Sequence, residues 1–311
     1  MLEPYDLERR FGGLSRLYGA AGAARIRQAH VVVVGIGGVG SWAAEALARS
    51  GVARLSLIDL DHIAESNINR QIHALTPTLG QSKVQAMRNR IADINPECDV
   101  RCIEEFVDSA NWPAIAELDL LAEPALAVLD ACDQVKAKTA MAAWALRNKI
   151  TFITVGAAGG KRHAHKVDID DLALTTHDPL LAQLRYRLRK EHGAARQGKI
   201  GVTCVFSRES VQQPVTRVEP ELDHGQVTAF GTSGLGVRIE GTVGAVINDT
   251  ADTAATADMT AGTDITKIPQ TNAPTEKVDS SLNCHGYGSV VSVTATFGIC
   301  AAGWLLDKIA K

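Results

Sequence analysis

The feature that most constrains this chain is a glycine turn at residues 35–40, directly after four consecutive valines. Gly35, Gly37 and Gly40 form a Gly-x-Gly-x-x-Gly pattern that also contains Gly38, and a helix-like stretch follows at once. A run of β-branched residues is typical of a strand buried on both faces of a parallel sheet. Glycines there let the backbone turn tightly and approach a phosphate at the N-terminus of the next helix. The sequence therefore predicts a nucleotide-binding α/β fold.

Polar residues after the second predicted strand favour ATP over a nicotinamide cofactor. Asp59 ends the strand RLSLID about 20 residues after the glycine turn, where a carboxylate can hold ribose hydroxyls. A redox domain has no need of a cationic cluster beyond that point, whereas fixed cations stabilise the charge that develops on a triphosphate during nucleotidyl transfer. The residues that we assign to this ATP site are Asp61, Asn67, Arg70, Gln71 and Lys83.

A third apolar strand, LAVLD, ends at Asp130. Ligands of open parallel sheets bind beyond the carboxyl ends of the strands, which is where this carboxylate should lie. Magnesium in proteins takes one or two carboxylates together with substrate phosphates. We therefore predict that Asp130 binds Mg²⁺, and we interpret Asp133 as the N-cap of the helix that follows.

These residues resemble the ATP site of the ubiquitin-activating-type adenylating enzymes, which adenylate a carboxylate and release pyrophosphate. Within that superfamily the chain is most similar to the tRNA threonylcarbamoyladenosine dehydratases. The resemblance covers residues 10–207 and resumes near residue 282. The matching stretches are RFGGLSRLYG at 10–19, GIGGVGSWAAEALARSG at 35–51, NRQIHAL at 69–75, INPEC at 94–98, RNKI at 147–150, HDPLLAQLRYRLRK at 177–190, GVTCVFS at 201–207 and VTATFG at 293–298.

The resemblance implies a role for each matching position. The glycine turn would hold phosphate, Asp59 the ribose and Asp130 magnesium, and the triphosphate contacts would be Asn67, Arg70 and Lys83. Arg16 is similar to an arginine that relatives extend across a dimer interface into the partner's ATP site, which implies a homodimer. Arg10 is a rival for that role, and a solvated helix arginine is the alternative interpretation of Arg16.

The family chemistry implies how the reaction proceeds. The modified adenosine beside the anticodon carries a threonine that is joined through a carbamoyl group. ATP would convert the threonyl carboxylate to an acyl-adenylate, and the carbamoyl group would then close a five-membered ring and expel AMP. Such intramolecular attacks reach effective molarities of ~10⁵ M or more, so the enzyme mainly has to activate the carboxylate.

Two other functions stay open at this stage. An adenylating activator of a ubiquitin-like sulfur-carrier protein would share the ATP chemistry, and a nucleotide-sensing module would bind ATP or NAD without turnover. Cysteine desulfurases or sulfur-acceptor proteins are further candidate partners.

The six cysteines favour neither a zinc site nor a disulfide framework. Sulfur-carrier activators usually have two Cys-x-x-Cys pairs for a structural zinc, and no such pair exists here. No segment resembles a signal peptide, so we expect a reduced, cytoplasmic protein. Cys204 lies in the apolar stretch VTCVF, which is typical of a buried thiol. Cys284, beside His285, is a candidate nucleophile, although adjacent residues on a strand point to opposite faces.

A tRNA substrate requires local positive charge, because the net charge of −3 gives no overall attraction to nucleic acid. Two basic stretches could provide it, and a solvated polar face is the alternative. The first contains Lys161, Arg162, His163, His165 and Lys166. The second contains Arg185, Arg187, Arg189, Lys190, Arg196 and Lys199, with Glu191 as its one opposing charge.

Composition and periodicity divide the chain into five predicted regions. We expect a Rossmann-like, mostly parallel sheet with helices on both faces, followed by a smaller mixed region. The regions are an N-terminal helical arm at 1–29, a Rossmann-like ATP-binding region at 30–160, a mixed α/β substrate-facing region at 161–217, a flexible insertion at 218–280 and an apolar helix at 281–311. The insertion is rich in Thr, Ala, Asp and Pro and cannot bury enough apolar surface to offset its ordering entropy.

The segment at 286–306 contains no charged residue and is long enough to cross a bilayer. Its Ser and Thr residues lower its hydropathy, and the resemblance implies burial, because dimeric relatives bury apolar helices at their subunit interface. We therefore expect burial in protein, with membrane association as the alternative.

Overall fold

The computed structural model describes residues 6–118, 125–213 and 287–311. Seven strands form one sheet in the order β3-β2-β1-β4-β5-β7-β6. All neighbouring strands in it are parallel except β6 and β7. The predicted mostly parallel α/β fold is thus confirmed. The strands are β1 (His30–Val34), β2 (Arg54–Ile58), β3 (Asp99–Ile103), β4 (Leu126–Asp130), β5 (Thr151–Val155), β6 (Val167–Asp171) and β7 (Thr203–Ser207).

Six α-helices cover the two faces of the sheet in the described part of the chain. They are α1 (Leu7–Gln28), α2 (Gly40–Arg49), α3 (Lys83–Ile94), α4 (Val135–Asn148), α5 (Pro179–Glu191) and α6 (Val291–Ile309). Buried residues of α1, α2, α3 and α6 pack with one face of the central strands, and those of α4 and α5 pack with the other. Because alternate residues of a strand point to opposite faces, both faces of β1 are apolar and its four valines are buried.

The strand order reverses direction at the centre of the sheet. From β1 the chain proceeds to β2 and β3 on one side and then crosses to β4 on the other. In open α/β sheets a crevice forms outside the carboxyl ends of the two strands at such a switch point, and ligands bind there. The residues that follow β1 and β4, including the glycine turn, therefore lie at the expected binding edge.

The N-terminal helix packs on the rest of the fold. Phe11, Ala23 and Ile26 of α1 are buried, and the guanidinium of Arg25 donates to the carbonyl oxygen of Ile309 at 3.3 Å. This contact joins the first described helix to the end of α6.

The suggestion that residues 286–306 associate with a membrane is wrong. No helix in the described ranges is long and apolar enough to span a bilayer. The apolar segment forms α6, whose Val293, Phe297, Ala301 and Leu305 are fully buried in the core. Its absence of charge is explained by packing against α2 and the sheet. The predicted flexible insertion at 218–280 and the candidate nucleophile Cys284 lie outside the described residues.

A glycine fixes the contact between α6 and α2. A Cβ atom at Gly298 would lie 2.3 Å from the carbonyl oxygen of Val39 and 2.9 Å from the amide nitrogen of Ala43. Val39 belongs to the glycine turn and Ala43 to the first turn of α2, so neither backbone atom can move without disturbing the glycine turn.

We expect Gly298→Ala to lower the free energy of unfolding by about 1–3 kcal/mol through this overpacking. Gly303→Ala on the same helix is the matched control, because nothing lies within 4 Å of its Cβ position. There the better helix propensity of alanine should stabilise the protein by up to about 1 kcal/mol. Urea unfolding of both variants measures the difference. Equal effects of the two substitutions would contradict the proposed helix contact.

Candidate active site

The glycine turn is held against the loop that follows β4. Gly35 has a φ of 85°, and a Cβ there would lie 2.9 Å from the carbonyl carbon of Ala131. At Gly40 a Cβ would lie 1.8 Å from the carbonyl oxygen of Gly35. Both positions therefore require glycine, one for its backbone conformation and both for space. The turn lies at the switch point with its following helix, α2, directly behind it.

Arg70 lies across the glycine turn. A Cβ at Gly38 would lie 3.2 Å from Cγ of Arg70. The guanidinium Nη1 of Arg70 donates to the carbonyl oxygen of Ser66 at 2.7 Å, and the indole nitrogen of Trp42 donates to the carbonyl oxygen of Arg70 at 2.9 Å. Residues 69–71, which are distant from the glycine turn in sequence, are therefore held beside it. The guanidinium of Arg70 lies where a phosphate would approach.

The amide side chains of this stretch have different partners. Gln71 is buried and lies near Gly37, and its Oε1 has no hydrogen-bond partner among the described residues. Asn67 accepts a hydrogen bond from the amide of Ala64 at 3.0 Å and so stabilises the short helical turn in which it lies. The predicted contacts of Asn67 and Gln71 with ATP stay predictions.

Asp59 holds the glycine turn directly. Its Oδ2 accepts the backbone N–H of Ile36 at 2.6 Å, and its Oδ1 accepts the N–H of Asp61 at 2.9 Å. Burial raises the pKa of this carboxyl, while the charge of Lys83 and the two backbone hydrogen bonds act in the opposite direction. A contact with ribose would be additional to this structural role.

Lys83 completes a compact cation and carboxylate cluster beside the turn. It is the first residue of α3 and is 6% exposed. Its Nζ lies 2.6 Å from Oδ2 of Asp61 and 3.8 Å from Oδ1 of Asp59. The structure therefore brings together the glycine turn, Asp59, Asp61, Arg70 and Lys83, and their contacts with ATP stay predictions.

Asp130 lies at the expected edge but in a closed environment. Its side chain is fully buried. Its Oδ2 accepts from Nζ of Lys138 at 3.1 Å and from the hydroxyl of Thr154 at 2.6 Å, and its Oδ1 accepts from the backbone N–H of Cys132 at 3.2 Å. Mg²⁺ usually keeps several waters and binds through one or two carboxylates. The surroundings of Asp130 therefore do not fit a directly bound Mg²⁺.

Lys138 is a site-building residue that the sequence reasoning missed. It is fully buried and also donates to the hydroxyl of Thr154 at 3.0 Å and the carbonyl oxygen of Val155 at 2.8 Å. Burial lowers the pKa of its amine, but the charge and hydrogen bond of Asp130, together with the charges of Cys132 and Asp178, raise it above its usual value. The ammonium thus joins the carboxyl ends of β4 and β5.

Asp133 is not a helix N-cap, which corrects the prediction. Helix α4 is capped by Gln134, and no side chain there bonds the first helical amides. The side chain of Asp133 is exposed, three residues beyond the buried Asp130. In the described ranges, no group of three or more His, Cys, Asp or Glu side chains could hold a metal ion.

The two candidate interface arginines on α1 have different surroundings. Nη1 of Arg10 donates to the carbonyl oxygens of Asp93 and Ile94 at 3.3 and 2.7 Å and so caps the C-terminus of α3. Arg16 is exposed, and beside it Leu17 is 74% exposed. The structure therefore gives Arg10 an intramolecular role and leaves Arg16 accessible.

The predicted RNA-facing residues separate into two groups at opposite edges of the sheet. Residues 161–166 follow β5 and precede the antiparallel β6, whose first residue, Val167, pairs with Ser207 at the carboxyl end of β7. They therefore share an edge with the ATP site. Helix α5 begins at that edge, where Asp178 accepts from the amide of Ala157 at 2.9 Å, and continues for about 20 Å toward the opposite edge.

Several of these basic side chains already have partners within the chain. The prediction for Lys161 is wrong, because its amine is buried and donates to the carbonyl oxygens of His177, at 2.9 Å, and Glu209. On α5, Arg185 donates to the carbonyl oxygens of Leu172 and Thr175, and Arg189 donates to that of Ala195. Arg187 pairs with the carboxylate of Glu191, and the amine of Lys190 lies over the ring of Tyr186. Lys199 is exposed.

Cys204 fits its predicted role as a buried residue. It is fully buried on β7, and burial raises the pKa of its thiol well above the usual value.

A model of the ThiF family matches residues 9–311. The chain belongs to the ThiF family. This ThiF-family protein is 37% identical to tRNA threonylcarbamoyladenosine dehydratase of Haemophilus influenzae over 309 residues. The matched region covers 98% of this chain and 95% of the relative. The dehydratase of Escherichia coli is 45% identical over 207 residues, which cover 66% of this chain and 75% of the relative.

Solved structures of the E. coli dehydratase have the same fold as this ThiF-family chain. Its complex with ATP superimposes with a TM-score of 0.71 at 34% identity, over 99% of this chain and 97% of that one. A complex with AMP gives a TM-score of 0.70.

His73 is a buried titratable residue near Lys83. It is 2% exposed, and neither ring nitrogen has a hydrogen-bond partner among the described residues. Burial lowers the pKa of its imidazole to about 4, and the charges of Lys83 and Arg90 add to this effect. The neutral imidazole avoids placing a third positive charge beside these two cations.

The free energy of unfolding should therefore fall as the pH is lowered from about 6.5 to 4. In that range the unfolded chain protonates a histidine that stays neutral in the folded protein, which corresponds to up to about 3 kcal/mol. Urea unfolding across this range, compared between the parent and His73→Gln, isolates the contribution. An identical pH dependence in both proteins would contradict the shifted pKa.

Proposed function

We propose that this protein dehydrates N6-threonylcarbamoyladenosine in tRNA to its cyclic form at the expense of ATP. A carboxylate oxygen of the threonyl group attacks the α-phosphorus of ATP, and pyrophosphate leaves. The carbamoyl group then attacks the acyl carbon, the ring closes, and AMP leaves as the carbamoyl group loses a proton. The match over 309 residues to a relative of that name carries the proposal, because the ATP chemistry alone is also expected of carrier-protein activators.

The geometry supports ATP as the nucleotide. The turn at Gly35 and Gly40 presents backbone amides at the start of α2, where phosphate is favoured. Arg70 lies over the turn and Lys83 beside it, so two cations face the region where charge develops on the triphosphate. Asp59 keeps the turn in place through the amide of Ile36. The E. coli relative has been solved with ATP and with AMP, which are a substrate and a product of the proposed reaction.

Magnesium is part of the proposal, with Asp133 as its protein ligand. Asp133 lies in the loop between Asp130, which ends β4, and α4, and its carboxylate is exposed and does not cap α4. These properties fit an ion that is shared with phosphate oxygens and water. The metal would neutralise charge on the phosphates, while Asp130 and Lys138 fix the loop that carries Asp133.

The test uses tRNA from cells that lack this protein, supplied with purified protein, ATP and Mg²⁺. We expect AMP and cyclised nucleoside in equal amounts, measured by mass spectrometry of the digested tRNA. AMP formation that requires a small protein ending in Gly-Gly, and not tRNA, would favour the carrier-activator alternative. Absence of AMP under both conditions would contradict adenylation.

Two aspartate variants separate the metal ligand from the structural carboxylate in the same assay. Asp133→Asn should lower kcat on the order of 100-fold at an unchanged Tm, because charge neutralisation on the phosphates is lost. Asp130→Asn should reduce the free energy of unfolding by about 3 kcal/mol, since it leaves Lys138 buried without a counter-charge. If Asp133→Asn is active, and Asp130→Asn is inactive but stable, the original prediction of Asp130 as the metal ligand is correct.

We also propose that the enzyme is a homodimer in which Arg16 enters the partner's ATP site. The exposed position of Arg16, next to the exposed Leu17, supports this arrangement.

Mixing inactive Arg16→Ala and Lys83→Ala proteins tests the arrangement by complementation. A mixed dimer has one complete site, with Lys83 from one chain and Arg16 from the other. Random reassociation should therefore restore about a quarter of the parent activity, since half of the dimers are mixed and each has one of two sites. No recovery, with mixed dimers verified by differently tagged subunits, would mean that Arg16 acts within its own chain.

A further inference from the structure

The loop between β5 and β6, residues 156–166, contains all the exposed cations of the first basic stretch and no acidic residue. Its cationic side chains Arg162 and Lys166 are exposed, as is His165. The loop starts where β5 ends and finishes where the antiparallel β6 begins. These side chains therefore lie at the carboxyl edge of the sheet, at which the glycine turn also lies.

A buried carboxylate outside the ATP site fixes the shape of this β5–β6 loop. Glu209, just after β7, is 3% exposed. Its Oε2 accepts the backbone N–H groups of Arg162 and His163 at 3.0 and 2.9 Å. Its Oε1 lies 2.9 Å from Nδ1 of His163. One carboxylate thus holds two consecutive amides and one side chain of the loop.

Two further contacts tie the β5–β6 loop to the start of α5. The buried amine of Lys161 donates to the carbonyl oxygens of His177 and Glu209. Asp178 accepts the amide of Ala157 while it caps α5 through the amide of Leu181. A Cβ at Gly156 would lie 2.0 Å from Oδ2 of Asp178, so glycine is required for this approach. At the end of the loop the amide of Arg208 donates to the carbonyl oxygen of Lys166 at 2.9 Å, so the loop is anchored at its beginning, middle and end before any ligand binds.

We propose that the β5–β6 loop is the surface that contacts the phosphate backbone of the acceptor RNA, through Arg162, His165 and Lys166, and that Glu209 is its positioning residue. The inference rests on the proposed function, because it takes tRNA as the partner. Phosphate contacts from fixed cations set the orientation of a nucleic acid without reading its sequence. Here they would hold the RNA so that the modified adenosine faces the adenylating site at the same edge.

The basic residues of α5 fit this role less well. Arg185, Arg187 and Arg189 are each bound within the chain. Helix α5 also leads away from the edge that carries the ATP site. Because the β5–β6 loop is already anchored, its binding to RNA costs less conformational entropy than binding by a mobile loop would.

The decisive measurement is binding of tRNA that carries threonylcarbamoyladenosine, without ATP, at several KCl concentrations. Arg162→Gln/Lys166→Gln should weaken binding about tenfold and lower the slope of log Kd against log salt by about 1.5 to 2. Arg147→Gln/Lys149→Asn, at the exposed C-terminal end of α4, removes the same charge and is the matched control. It should change the Kd less than about twofold.

Two outcomes overturn the inference. One is unchanged binding by Arg162→Gln/Lys166→Gln, and the other is a larger loss in Lys190→Gln/Lys199→Gln, which would assign RNA contact to the α5 surface. Because binding is measured without turnover, failure of the proposed function is recognised separately: the parent would bind tRNA through the loop but form no cyclised product.

Glu209→Gln tests the positioning role, because an amide cannot accept at both oxygen positions. The KM for tRNA should rise about fivefold or more, while kcat and the KM for ATP stay within about twofold of the parent values. A Tm that falls with an unchanged KM for tRNA would show that Glu209 only stabilises the fold, and would overturn its assignment as a positioning residue.

Discussion

The close approach of two backbones at the centre of the sheet is the constraint on which the site depends. The glycine turn after β1 contacts the loop after β4 so closely that a single methyl group at Gly35 would overlap Ala131. This contact places the glycine turn beside Asp130, the last residue of β4, and the loop that carries Asp133. The carboxylate of Asp59, directly after β2, then binds the amide of Ile36 and holds the turn from the other side. Three strands therefore determine the position of one short segment.

Sequence patterns were sufficient for the sheet and for the placement of several predicted ATP-site residues around the glycine turn. Valine runs, glycine spacing and the position of Asp59, directly after β2, follow from local sequence patterns, whereas Arg70 lies in the turns between β2 and α3. Assignment of roles between Asp130 and Asp133 was not possible in this way. They are three residues apart, at the end of β4 and in the loop after it, and the buried cation that binds Asp130 comes from Lys138 on the following helix.

The basic residues show a second limit of sequence reasoning. Charge runs identify where cations occur but not which of them are neutralised by carbonyls or carboxylates from distant segments. Lys161 is bound by the carbonyls of His177 and Glu209, so its burial depends on contacts with two other parts of the chain. The apolar segment at 286–306 is a similar case, because only the position of α2 shows what covers α6.

The contact between Gly298 and the start of α2 has a consequence for biosynthesis. The strands that form the nucleotide-binding crevice leave the ribosome long before α6 is translated, so the apolar surface of α2 stays uncovered during that interval. Exposed surfaces of this kind favour aggregation of partly folded chains. A nascent polypeptide that stalls before α6 should therefore depend on chaperones, although every residue of its phosphate turn has already been made.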